Sequence, residues 1–231
     1  MREIVFDTET TGLDPLQGHR LVEIGCIELL NRIPTGNTFH RYLNPERDMP
    51  AEAFAVHGLS AEFLKAHPVF ASVVEEFLDF IGDAPLVAHN GFFDLGFINA
   101  ELNRVQKQPI GRERIVDTLI LARRKHPGGQ NKLDDLCARY RIDNSRRTKH
   151  GALLDAELLA EVYIELTGAR QALLGLTTAA AAVTSVGQQT VLSVRPEPLP
   201  SRLTDAEREA HRAFVATLGD SPIWQKYLPA E

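Results

Sequence analysis

Apolar and polar residues follow two rhythms along this chain, and the change of rhythm marks where strands should give way to helices. Ile4-Val5-Phe6 runs without a break into Asp7-Thr8-Glu9-Thr10-Thr11-Gly12-Leu13, the pattern of a buried strand opening into a polar turn. Leu21 to Leu29 and Thr38 to Leu43 read as two further strands, with turn composition at Pro34-Thr35-Gly36-Asn37 between them. Three strands in succession predict an antiparallel meander. Met49 to Gly58 reads as a turn leading into a helix that Ser60 caps, without a capping box because Phe63 stands three residues on.

From Phe70 to Ile81 the spacing becomes helical, and Val69, Val73, Phe77 and Phe80/Ile81 form one core-facing stripe. Pro85 to His89 gives a short buried strand, then Asn90-Gly91-Phe92-Phe93-Asp94 leads into a helix over Leu95 to Arg104. Such a junction exposes side chains at a strand's C-terminal edge, where open α/β sheets build their sites. Ile115 to Leu119 runs into a helix ending in Arg123-Arg124-Lys125-His126. Leu133, Leu136, Cys137 and Tyr140 repeat at helical spacing after Asn131, a plausible cap, and Ala152 to Leu166 forms a long helix stopped by Gly168. Beyond it, Thr177 to Thr190 is rich in Ala, Thr, Ser and Gln and reads as a linker. Pro196 to Pro200 is stiff, and Thr204-Asp205-Ala206-Glu207 starts a short helix with a capping box.

The chain of 231 residues allows one well-cored domain plus an appendage. No apolar run approaches the roughly 18 residues of a membrane span, and Met1-Arg2-Glu3 lacks the apolar core of a signal peptide. Cys26 and Cys137 are isolated and read as small buried hydrophobes. The expected compartment is the cytoplasm, with no membrane partner. Net charge is −6, but its distribution matters more: residues 101–150 hold 13 basic and 6 acidic side chains, whereas 1–100 hold 6 and 15. Local positive charge attracts phosphates even on an acidic protein, although such a tract is often only a solvated face.

Asp7 and Glu9 sit two apart on a strand and therefore point the same way. Alone they read as the polar end of a strand, and Asp94 alone reads as an acid at a helix N-terminus. Together with His150 and Asp155 they make four carboxylates and a histidine at strand ends and helix starts. Oxygen-rich sets of this kind suit hard divalent cations, which can clamp an in-line displacement at phosphorus, while a histidine takes a water's proton.

Asp7-Thr8-Glu9, His89 to Asp94 and His150 to Asp155 resemble, in order, the three motifs of the DEDD 3′→5′ exonucleases in the branch whose fifth residue is histidine. The resemblance implies an α/β, ribonuclease H-like fold: a mixed central sheet flanked by helices, followed by a C-terminal linker and a short partner-binding tail. It further implies two divalent ions, Mg²⁺ or Mn²⁺: Asp7, Glu9 and Asp155 at the first, Asp7 and Asp94 at the second, and His150 as general base. Substrate contacts are implied for Asp7, Glu9, Thr10, Leu13, Glu52, His57, Phe93 and Asp155, at a DNA 3′ end. For His57, a capping or core histidine is the competing reading.

The layout is similar to that of the epsilon proofreading subunits of bacterial DNA polymerase III. On that resemblance, 1–170 is the exonuclease domain, 171–198 a clamp-binding peptide and flexible linker, and 199–231 a polymerase-binding segment. Gln171, Leu174 and Leu176 match the peptide that docks on the sliding clamp. Phe214 and Trp224 are the expected contacts to the polymerase alpha subunit, and a small accessory subunit is a further expected partner. Two rivals remain open. A free-standing exoribonuclease or single-strand DNase would need no tail, and a non-catalytic polymerase–clamp adaptor need not keep five catalytic residues.

Overall fold

The computed structural model of the protein describes residues 1–169 and 203–218. Strands β1 (Arg2–Thr10), β2 (Leu21–Leu30), β3 (Ile33–Tyr42), β4 (Leu86–Ala88) and β5 (Ile115–Asp117) form one sheet in the order β3-β2-β1-β4-β5. The first three pair antiparallel, as the strand succession predicts, and β4 and β5 add in parallel beyond β1. The helices are α1 (Ala51–His57), α2 (Ala61–Lys65), α3 (Phe70–Ile81), α4 (Gly91–Arg104), α5 (Thr118–Lys125), α6 (Leu133–Tyr140) and α7 (Ala152–Leu166).

Alternation along β1 divides the core between the two faces of the sheet. Ile4 and Phe6 pack with Phe70, Val73 and Phe77 of α3 and Ile98 of α4, while Val5 packs with Leu136 of α6 and Leu159 and Tyr163 of α7. By the same alternation Asp7 and Glu9 emerge on the α7 side and Thr8 on the α4 side. Both cysteines are buried and unpaired.

Three local expectations differ. The hairpin turns at Asn31-Arg32, both left-handed at φ 52° and 65°, and Pro34 to Asn37 lie within β3. A two-residue turn of that hand matches strand twist, and an edge strand tolerates Pro34. Met49 to Gly58 contains a helix of its own, α1, mostly exposed at Phe54 and Val56. Lys132, not Asn131, is the N-cap of α6; Asn131 instead donates to the Gly129 carbonyl at 2.8 Å.

Two units divide the chain, Met1–Leu176 and Thr177–Glu231. In the second, α8 (Asp205–Ala216) begins at Thr204 and Glu207, which close the expected capping box. Among the described residues no helix is long and apolar enough to cross a membrane.

Candidate active site

Four elements bring the acidic residues together. Glycine at position 25 makes one of these approaches geometrically feasible: it lies opposite Asp7 in the β1–β2 register, and a Cβ there would sit 2.3 to 2.5 Å from the backbone of Ala152 and Leu153. Without that Cβ the first turn of α7 seats against the sheet beside Asp7 and Glu9, and Asp155 lies in that turn. Asp94 comes from the first turn of α4. Asn90, left-handed at φ 65°, turns the chain sharply from β4 into that helix and donates its N–H to Asp117 Oδ1 at 3.2 Å. On the α4 face of the sheet, Thr8 Oγ1 donates to Asp94 Oδ1 at 2.6 Å.

Among the described residues, Glu9, His150 and Asp155 bring ligand atoms within 4.8 Å of one another. Asp7 stands beside them. Burial, reinforced by the charges of Asp94, Glu9 and Asp155, raises the Asp7 pKa well above the ordinary carboxylate value. Burial first, then Asp155 and Glu23, pushes Glu9 up to about 8, and burial lifts Asp94 to about 7 despite the bond from Thr8. Asp155 runs the other way: burial raises its pKa, but the hydrogen bonds from Arg147, with the His150 imidazole alongside, outweigh it and hold the carboxyl below its usual range.

Buried, mutually repelling oxygen donors on one side of a histidine fit a hard divalent cation, which would relieve the crowding that raises Asp7, Glu9 and Asp94. His150 is half-exposed, its Nδ1 3.3 Å from Asp155 Oδ2, and its backbone N–H donates to the Val56 carbonyl at 3.3 Å.

Two clefts meet at this cluster and share Asp7, His89 and His150. One, of about 630 Å³, is lined by Thr10, Leu13, Glu52, His57, Phe93 and Asp94. The other, of about 950 Å³, is lined by Asn90, Arg123, Asn131, Lys132, Arg147 and Asp155. Every substrate residue expected from the sequence except Asp155 lines the first cleft, with Leu13 84% exposed at its lip. His57 is buried. Its Nδ1 accepts the Leu59 N–H at 3.0 Å, and burial keeps the imidazole pKa below its ordinary value, so Nε2 carries the proton. That Nε2 is, among the described residues, the one buried side-chain polar atom lacking a hydrogen-bond partner, close to the Thr10 backbone without closing a bond to it.

The sequence singled out neither Gly25, Thr8 nor Arg147. Arg147 sits in a basic tract where nothing but its place three residues before His150 separates it from Arg146. Gln171, Leu174, Leu176 and Trp224 lie outside the described residues, and Phe214 is exposed on α8.

The sequence profile of the family described as Exonuclease (RNase_T) matches residues 4–163. The DNA polymerase III epsilon subunit of Rickettsia conorii is 44% identical over 229 residues, spanning 94% of this chain and 96% of that one. That of Escherichia coli K12 is 44% identical over 243 residues, spanning 97% of each. The chain belongs to the exonuclease family, on its epsilon-subunit branch. It is an enzyme of the 3′–5′ exonuclease class. The fold agrees: the nuclease domain of 3′hExo, a DEDDh family member bound to rAMP, superposes with a TM-score of 0.63 at 17% identity, covering 73% of this chain and 92% of that one. The mixed sheet flanked by helices is thus the ribonuclease H-like arrangement of these exonucleases.

Proposed function

We propose that this exonuclease proofreads DNA synthesis, removing mispaired nucleotides from a primer 3′ end as 5′-monophosphates by a two-metal mechanism. The observation that carries the reading is the crowding of Asp7, Glu9 and Asp94, whose pKa values all rise, beside Asp155 and His150 at the junction of two clefts. Asp7, Glu9, Asp94 and Asp155 would hold Mg²⁺ or Mn²⁺. Such ions, when bound, supply an acidified water and neutralise charge building on phosphate.

The chain's own residues do the rest. His150, half in solvent and anchored by its backbone to α1, takes the proton of the attacking water at its imidazole. Leu13 and Phe93 offer apolar surface to the terminal nucleotide, Thr10 and Glu52 stand at the same cleft, and His57 Nε2–H supplies a donor. In this reading the cleft takes an unpaired terminal nucleotide, so frayed and therefore mispaired ends are selected. Arg123 and Lys132, on the wall of the larger cleft, supply counter-charge for the phosphates of the strand.

The epsilon relatives support an assembly role as well. In this reading residues 1–170 form the exonuclease domain, Gln171, Leu174 and Leu176 bind the sliding clamp within the 171–198 linker, and 199–231 bind the polymerase alpha subunit through Phe214 and Trp224. The test compares primers with a mispaired and a paired 3′ terminus. Faster removal from the mispaired primer is expected, and equal rates would overturn proofreading. Deleting 199–231 should spare that activity and abolish co-purification with the alpha subunit; retained co-purification would move the contact elsewhere.

A further inference from the structure

Arg147 is a cation placed among the residues that should hold a cation. Its side chain is only 8% exposed. Nε and Nη2 donate to the two oxygens of Asp155 at 2.6 and 2.7 Å, Nη1 donates to Asp134 Oδ2 at 2.7 Å, and Nη2 also donates to His150 Nδ1 at 2.8 Å. The guanidinium therefore engages both oxygens of one proposed metal ligand and the ring of the proposed base at once.

A carboxylate has two oxygens and about four lone-pair sites, and a bidentate guanidinium fork takes the pair that faces it. Asp155 is also the residue whose ligand atom meets those of Glu9 and His150 within 4.8 Å. A full divalent charge seated there would repel a guanidinium held against the same carboxylate. The two cations therefore contend for one side chain. Asp134, exposed at 56%, gives Arg147 a second anchor on the wall of the larger cleft and so helps hold the guanidinium against Asp155.

We propose that Arg147 is a positioning residue that competes with the divalent metal for Asp155: it holds Asp155 and His150 in place as an internal cation and yields the carboxylate when metal loads. The inference rests on the reading of Asp155 as a metal ligand. It predicts that metal affinity is set below what the carboxylates alone would give, and that the site stays ordered without metal because Arg147 compensates Asp155.

The test is Mn²⁺ titration by calorimetry on the full chain, with folding checked by circular dichroism, for wild type, Arg147→Gln, Arg147→Lys, Asp134→Asn and Asp155→Asn. Arg147→Gln should bind Mn²⁺ about tenfold more tightly, the equivalent of one lost charged hydrogen-bonding contact, and should melt lower than wild type when free of metal. Arg147→Lys, which keeps the charge and loses the fork, should fall between. Asp134→Asn loosens only the outer anchor and should tighten binding by about twofold to threefold. Unchanged or weaker Mn²⁺ binding in Arg147→Gln would overturn the inference; if that variant does not fold, unchanged or weaker binding in Asp134→Asn would do so. Wild-type binding that Asp155→Asn does not reduce would instead overturn the metal reading beneath it.

Discussion

Asp7 on β1 faces Gly25 on β2 across the antiparallel ladder, and the backbone of α7 at Ala152 and Leu153 occupies the space where a side chain at position 25 would stand. The site is therefore built by a close approach of helix to sheet as much as by its acids. Gly25→Ala should force α7 outward and move Asp155 away from Glu9. We expect a loss of about 1–3 kcal/mol of stability, the usual cost of overpacking, with a larger relative loss of exonuclease rate. Chemical denaturation and a primer-degradation assay measure the two; wild-type values for both would show that the approach has slack.

The raised carboxyls make stability depend on pH in an unusual direction. Glu9 titrates at about 8 in the folded protein against an ordinary 4.5, Asp94 at about 7 against 3.8, and Asp7 is raised as well. Between the ordinary and the raised values the folded chain holds more protons than the unfolded one, so stability falls as pH rises. Asp155, shifted down, contributes with the opposite sign but only below its ordinary 3.8. In chelator, the melting temperature should fall by roughly 5 °C or more between pH 5.5 and 8.5. Added Mg²⁺ or Mn²⁺ should restore it at pH 8 and release protons on binding at pH 6. A melting temperature that rises over this range would contradict the electrostatic account.

His57 offers a buried donor with no partner of its own. Replacing it with Phe removes that donor while keeping much of the ring volume. Stability should change by no more than about 1 kcal/mol, since the loss of the bond to Leu59 N–H is offset by removal of a desolvated N–H. The kcat/KM for a single-stranded 3′ end should drop about tenfold, carried mainly by KM. Unaltered KM would make His57 a core residue rather than part of the nucleotide cleft.

Much of this was legible in the sequence where periodicity and chemistry agreed. The helix over Phe70–Ile81 follows from its apolar stripe, that over Ala152–Leu166 from a long apolar-rich run stopped by Gly168, and the shared direction of Asp7 and Glu9 from strand alternation. Helix α1 escaped because Phe54 and Val56 face solvent, so its apolar residues carry no core-facing period. The turn at Asn31-Arg32 escaped because Pro34 to Asn37 have the stronger turn composition. Arg147 was hidden for a different reason. A basic tract looks the same whether its members are solvated or folded inward, and only the distances to Asp155 and His150 separate the cases.

The central claim is that Asp7, Glu9, Asp94, His150 and Asp155 form one metal-dependent centre that cuts DNA from its 3′ end. Its most direct measurement is release of nucleoside 5′-monophosphates from a primer with a mispaired 3′ terminus. Wild type and an Asp7→Ala, Asp155→Ala double variant are compared, each with Mg²⁺ and with chelator. Release by wild type in Mg²⁺ alone, with the chelated enzyme and the double variant at least about 10³-fold slower, is the predicted result. A double variant that degrades the primer as fast as wild type would contradict it.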